Sequence, residues 1–319
     1  MAESILSQVS SRPTLREYAF GLSQSGVLPL AGFIAPTCTV SKSVGFFLRY
    51  TDKARFRRQD TRYSLDRPVT QVGREGLHVP YNCTPHALDF PISNLEKMEA
   101  EDIENELMEG ARILQEAAAL DHEYSVINSA LAALPQSGAQ YNATQWSGST
   151  GFSNPIADLD AAIKKVILGA GGGGSNMKIR IAFGFTAWLN CKNNPNISDK
   201  FVVAAGAPPG IAVPTVDMFG KFLMRNPQCM EAAMVQDVAP EGKLQSFGFL
   251  LDNDVIVFAC QDEPTRLDPS FMKTFRLADK FMVPGSYVRP DGRGEVAKFD
   301  WSEDIQNTNT LAAFRLTIS

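Results

Sequence analysis

From Ser93 to Leu134 the sequence carries one sustained helical period, and any fold must accommodate it. Ser93-Asn-Leu-Glu96 fits a capping box, in which the serine hydroxyl accepts from the third helical amide and the glutamate reaches back to the serine amide. Apolar positions then recur at intervals of three or four: Ile103, Leu107, Ala111, Leu114, Ala118, Leu120, Tyr124, Ile127, Leu131 and Leu134. Pro135 cannot continue the helix. Residues 94–134 would form a rod of about 60 Å at 1.5 Å per residue, with Gly110 as the place where it kinks or divides. Its first turns hold Glu96, Glu99, Glu101, Asp102, Glu104, Glu106 and Glu109. These suit the positive end of the helix dipole but exceed what capping requires. A carboxylate cluster for metal or acid/base chemistry is one reading; a solvated or interacting face is the commoner meaning of such a run.

What flanks the rod is less regular. Residues 1–26 are polar, with apolar periodicity only over Thr14–Leu22, and read as an arm. The run VLPLAGFIAPTCTV (27–40) is predicted as an extended segment covered on both sides. Between 42 and 90, strand-like runs at 44–50 and 76–81 enclose a polar middle, KARFRRQDTRYSLDR, with no helical period. Such length without regular structure is uncommon inside compact domains. The pattern predicts a long two-stranded excursion, which needs outside support because a lone hairpin is marginal in water. After the rod, residues 135–152 form a Gly/Ser/Asn-rich loop with Trp146, and Asn154-Pro155 opens a second helix through Ile156, Leu159, Ala162, Ile163, Val166 and Ile167. Glycines 169–174 end it. A strand at 178–183, a short helix at 186–192 and several short β-like runs follow, an α+β body with no internal repeat.

Catalytic equipment is sparse. The three histidines show no H-E-x-x-H spacing, there is no C-x-x-C pair, and no G-x-S-x-G elbow occurs. Gly169 to Gly174 formally match G-x-G-x-x-G, yet they follow a helix and precede a strand, the reverse of a phosphate-cradling turn. The expectation is therefore no enzyme, no cofactor and no metal. Five scattered cysteines in a chain of 319 residues read as reduced, buried thiols. A net charge of -5 argues against a polycationic packaging protein, so any DNA contact should be weak and non-specific. No window is apolar enough for a membrane helix and no secretory signal pattern opens the chain, which predicts no membrane partner and a life in the cytoplasm. An arm, a long excursion, a long acidic helix and a body without a catalytic motif suit a protein that contacts copies of itself.

Three blocks carry a family resemblance. They are A-P-T-C-T-V-x-K-x-x-G-F-F-x-R-Y (35–50), the acidic helix after H-A-L-D-F-P-I (86–92), and Trp146 followed by S-N-P-I-A-D-L-D-A-A-I (153–163), a glycine break, a strand and A-W-L-N-x-x-x-N-P-N-I (187–197). In this order, from about residue 27 onward, the sequence resembles a major capsid protein of a tailed bacteriophage with the Hong Kong 97-type capsid fold. It departs from that pattern in its long glycine run and Ser175, where relatives often carry a short Pro-Asn turn. The resemblance implies an α+β capsid fold with an N-terminal arm and first strand (1–41), an extended loop (42–90), a peripheral domain with the spine helix (91–176) and an axial domain (177–319), some of whose strands return to the periphery.

It also implies a function: hexamers and pentamers that self-assemble into an icosahedral virion shell around the phage genome, built in the host cytoplasm. A portal and a decoration protein are implied partners. Only about 26 residues precede the first core-like segment, too few for a fused scaffolding domain, so scaffolding is expected to come from a separate chain or not to be needed. Lys42 and Lys53 are the only lysines of the loop and both lie near its start, so no covalent cross-link is expected. An encapsulin-type compartment shares the fold and is the alternative; its cargo would be protein.

Charge placement nominates a contact. Lys42 to Arg74 carries nine basic residues against three acidic, whereas Asn94 to Glu123 carries ten acidic against two basic. Arg55, Arg57, Arg58 and Arg62 are therefore predicted to face Glu99, Glu101, Asp102, Glu104 and Glu106 of a neighbouring subunit's spine helix.

Overall fold

A computed structural model of the protein describes residues 30–49, 77–99, 103–146, 154–169, 177–197, 215–239, 244, 246–278 and 283–318. The chain begins there with one helical turn, α1 (Leu30–Ile34), followed by strand β1 (Thr37–Val40). The extended segment predicted over 27–40 thus holds only for its end. The reason lies far away in sequence: the Ala31 amide donates to both carboxylate oxygens of Glu123, at 2.8 and 2.9 Å, so an anion sits at the start of the turn.

Strands β2 (Val44–Arg49) and β3 (Leu77–Asn82) pair antiparallel, Val44 opposite Asn82 and Arg49 opposite Leu77, as expected for a two-stranded excursion. Its polar middle lies outside the described residues. Strand β4 (Thr84–Ser93) then runs along β13 (Gly294–Asn307) from Thr84 opposite Glu303 to Ser93 opposite Gly294. Residues 84–90, read from the sequence as the end of the loop, are therefore part of a sheet.

The helical rod appears as α2 (Asn94–Glu99) and α3 (Ile103–Ala133). Its capping box forms: the Ser93 amide donates to Glu96 Oε2 at 2.7 Å and the Glu96 amide to Ser93 Oγ at 3.2 Å. With 31 residues α3 is about 46 Å long. Contrary to expectation it runs unbroken through Gly110. A Cβ there would lie 2.6 Å from Phe90 Cδ1, so the glycine serves close packing of β4 on the helix.

Beyond α3 come β5 (Tyr141–Thr144), α4 (Pro155–Gly169), β6 (Lys178–Phe183), α5 (Phe185–Lys192), α6 (Val216–Phe219), β7 (Gln228–Glu231), β8 (Val235–Asp237), β9 (Phe247–Phe249), β10 (Asp254–Cys260), β11 (Met272–Leu277), β12 (Val283–Val288) and, after β13, β14 (Ala313–Ile318). One five-stranded sheet has the order β1-β11-β13-β12, with β4 also on β13; the other has the order β5-β14-β10-β6-β7. Strands β8 and β9 form a separate pair. From Val255 to Cys260 the central β10 is buried throughout, the pattern of a strand covered on both faces.

The helix α3 takes part in both main cores. Leu107, Ala111, Leu114 and Ala118 pack on Ala297, Phe299 and Trp301 of the first sheet. One helix segment later, Val126, Ile127 and Ala130 join the core of the second sheet with α1, α4 and β10.

Candidate inter-subunit surface

Two features bear on assembly: the root of the excursion and the outer face of α3. At the root, alternation sorts the side chains. Phe47 and Tyr81 turn inward onto Phe275 of β11, ring centroids 5.5 and 4.7 Å away, beside Cys38, Val40 and Cys83. Tyr81 lies so close over Gly45 that a side chain there would enter its ring. Arg49 donates to the Asn307 carbonyl through Nε and Nη2, at 3.3 and 2.9 Å, and the Asn82 amide donates to Asp304 at 2.8 Å. The excursion is thus bolted to the first sheet at its base, while its opposite face leaves Val44 and Phe46 57% and 61% exposed. An apolar face presented to solvent next to a long basic segment is what a contact surface requires.

On α3, Glu106, Glu109 and Glu116 are exposed. Part of that charge is already answered, because Arg112 reaches Glu109 and Glu116, each at 2.6 Å. The Glu109 carboxyl is held below its ordinary range chiefly by that hydrogen bond. Of the other nominated residues, Glu99 belongs to α2 and Glu104 to α3. Arg55, Arg57, Arg58, Arg62, Glu101 and Asp102 lie outside the described residues. Glu123, counted from the sequence with the acidic face, is turned inward: it is only 2% exposed and caps α1. Burial raises its carboxyl pKa, against the pull of the Ala31 amide.

The sequence did not suggest the polar clamp behind this face. His122 of α3 meets Glu303 of β13 at 3.0 Å through Nδ1, and Arg276 of β11 donates to the other Glu303 oxygen at 3.1 Å. A second Arg276 nitrogen lies 3.3 Å from His122 Nε2. A guanidinium can only donate, so Nε2 accepts and Nδ1 carries the proton given to Glu303. Burial disfavours the Glu303 carboxylate, but His122 and Arg276 outweigh it and hold its pKa at about 2. Arg276 in turn is pulled down by burial and supported by Glu303. Lys273, fully buried on the same strand as Arg276, donates to the Thr265 and Asp268 carbonyls at 2.6 and 2.8 Å and pairs with the Asp268 carboxylate.

None of this is catalytic geometry. All five cysteines are buried and unpaired, and burial pushes Cys83 up to about 11 and both Cys229 and Cys260 up to about 12, far from a reactive thiolate. Among the described residues no group of His, Cys, Asp and Glu is placed to hold a metal ion, and no helix is long and apolar enough to cross a membrane.

No family model and no curated protein matches the sequence. Solved structures do match, end to end. A phage-related protein from Bordetella bronchiseptica superposes over 97% of this chain and 97% of its own, with a TM-score of 0.70 at 18% identity. The capsid of cyanophage P-SCSP1u matches over 90% of this chain and 86% of its own, TM-score 0.55 at 11% identity. This is the phage capsid fold. The SrpI encapsulin of Synechococcus elongatus shares it, over 92% of this chain and 88% of its own, TM-score 0.55 at 10% identity.

Proposed function

We propose that this chain is a major capsid protein whose copies, as hexamers and pentamers, assemble in the host cytoplasm into an icosahedral shell around a phage genome. The observation that carries this is the match of 90% of the chain to 86% of a phage capsid chain. The exposed apolar face at Val44 and Phe46 gives such an assembly something to bury. The encapsulin reading stands beside it because an encapsulin shell has the same fold. Expression followed by negative-stain microscopy and analysis of nuclease-protected contents tests both. Closed shells that package DNA in the infected host support the first reading, closed shells around a protein cargo the second, and a chain that stays monomeric or dimeric under all assembly conditions overturns both.

Within this reading the Arg-rich middle of the loop, Arg55, Arg57, Arg58 and Arg62, lies over the acidic start of a neighbour's spine helix, at Glu99, Glu101, Asp102, Glu104 and Glu106. A separate scaffolding chain, a portal and a decoration protein complete the assembly. The negative net charge leaves contact with packaged DNA weak.

A further inference from the structure

A cleft of about 620 Å³ opens where α1, β6 and the segment from α6 into β7 meet, a size that suits a small-molecule ligand. Its lining brings together Gly32 and Phe33 of α1, Arg180 of β6, Lys221, Asn226 and Gln228. Arg180 is only 8% exposed, yet its hydrogen bonding is incomplete. One terminal nitrogen donates to the Phe33 carbonyl at 2.9 Å and the other to Asp262 at 2.7 Å, while Nε has no partner among the described residues. A guanidinium carries five N–H donors and no acceptor, and a buried donor is costly to leave unpaired. Its plane is steadied by Phe33, whose ring centre lies 5.0 Å from Cζ.

The charge of Arg180 is not neutralised locally. Asp262 pairs with both Arg180 and Lys178, so one carboxylate serves two cations. Lys178 and Arg225 line an adjoining hollow of about 150 Å³, which shares Asn226 and Gln228 with the cleft. Over the lining of both hollows together with Asp262, the cations Lys178, Arg180, Lys221 and Arg225 face the carboxylates of Asp217 and Asp262. This local positive excess stands in a chain whose net charge is -5, and it attracts anions. The wall is also built to hold its shape. Arg225 and Asn226 both adopt left-handed backbone, φ 72° and 47°, a conformation that persists in an arginine only where the surroundings enforce it. The Met224 amide donates to Asp160 at 3.0 Å and the Asn226 amide to the Leu223 carbonyl at 3.3 Å. A Cβ on Gly220 would lie 2.2 Å from the Pro227 carbonyl oxygen, so the end of α6 is pressed onto the start of β7.

We propose that this cleft binds a nucleotide phosphate, carried by a free nucleotide or by a single nucleic-acid strand. Arg180 and the exposed Lys221 take the phosphate: a guanidinium offers its oxygens paired donors, and the ammonium adds a point charge. The exposed amides of Asn226 and Gln228 each present a donor and an acceptor to a base edge, and the half-buried Phe33 supplies an aromatic surface. The inference concerns the single chain and does not depend on whether copies build a shell.

Calorimetric titration of the full chain at low salt with adenosine monophosphate, with adenosine and with a short single-stranded oligothymidylate tests it. At least one phosphate probe should bind while adenosine does not; binding of adenosine monophosphate assigns the site to a free nucleotide, and binding of the oligonucleotide alone assigns it to a strand. Two variants tie the binding to the cleft. A Cβ at Gly32 meets nothing within 4 Å, so Gly32→Leu fills the cleft without a clash in α1 and should weaken the bound probe about tenfold or more. Lys221→Glu should weaken it about tenfold as well, whereas Lys164→Glu, the same charge change on the exposed face of α4 outside the cleft, should leave the affinity within about twofold. Failure of both phosphate probes, equal binding of adenosine, unchanged affinity in either cleft variant, or an equal loss in Lys164→Glu would overturn the site.

Discussion

At the scale of single residues, the clamp of His122, Arg276 and Glu303 ties α3 to two strands of the first sheet with one carboxylate. The Glu303 pKa falls from an ordinary 4.5 to about 2, so its ionised form stabilises the fold at neutral pH. That contribution is complete above the unfolded value and is lost as pH drops from about 4.5 through about 2. It amounts to roughly 3 kcal/mol. Glu303→Gln should remove a comparable stability at pH 7, because Arg276 stays buried without its counter-charge. Urea titrations from pH 7 to pH 2 should show a smaller loss of stability on acidification in the variant; an identical acid slope in both proteins would mean that Glu303 is not the group titrating. The trio was illegible in the sequence for a plain reason. Its members lie up to 181 residues apart, and a lone His beside acidic residues on a helix carries no sign of what the fold will bring to it.

Elements divide by how local their causes are. Gly110 illustrates a feature that propensity alone misreads. In an open helix Gly→Ala gains about 1 kcal/mol, but here the added methyl would meet the Phe90 ring at 2.6 Å. Gly110→Ala should therefore lower the thermal midpoint, and Phe90→Leu in the same chain should recover part of the loss. A rise in the midpoint for the single variant would show that β4 yields easily. The capping box at Ser93, the Asn154-Pro155 start of α4 and the strand Lys178–Phe183 were all readable, since each depends on neighbours within a few residues. The β2–β3 pairing was readable too, from two strand-like runs around a polar middle. The turn α1 was not, because the carboxylate at its start comes from 92 residues away.

For the whole molecule, the order of blocks along the chain pointed to the fold that the solved capsid structures share, and charge asymmetry nominates a contact between subunits. Individual pairs at such an interface would be worth only about 0–1 kcal/mol, but repeated at every subunit they would fix register and steer encounter. Arg57→Glu with Arg58→Glu should block shell formation while circular dichroism shows a folded subunit, and reversing acidic positions such as Glu104 and Glu106 to Lys should partly restore assembly. Light scattering of wild-type assembly should fall as salt rises, because the screening length is already about 8 Å near physiological ionic strength. Normal shells from the double arginine variant would dispose of the contact. The charge on the outer face of α3 was only partly legible: composition counted Glu123 with that face, whereas burial took it to the cap of α1, and Arg112 pairs with Glu109 and Glu116.

The passage of α3 through both cores has a mechanical meaning. Helices in proteins commonly curve with radii of about 60–100 Å, and over the length of α3 that range corresponds to a change of axis direction of about 25–45°. The two sheets are gripped by different stretches of one continuous rod, and Met272 of β11 also sits in the second core, so a bend anywhere along α3 is shared by both sheets and is not absorbed at a single joint.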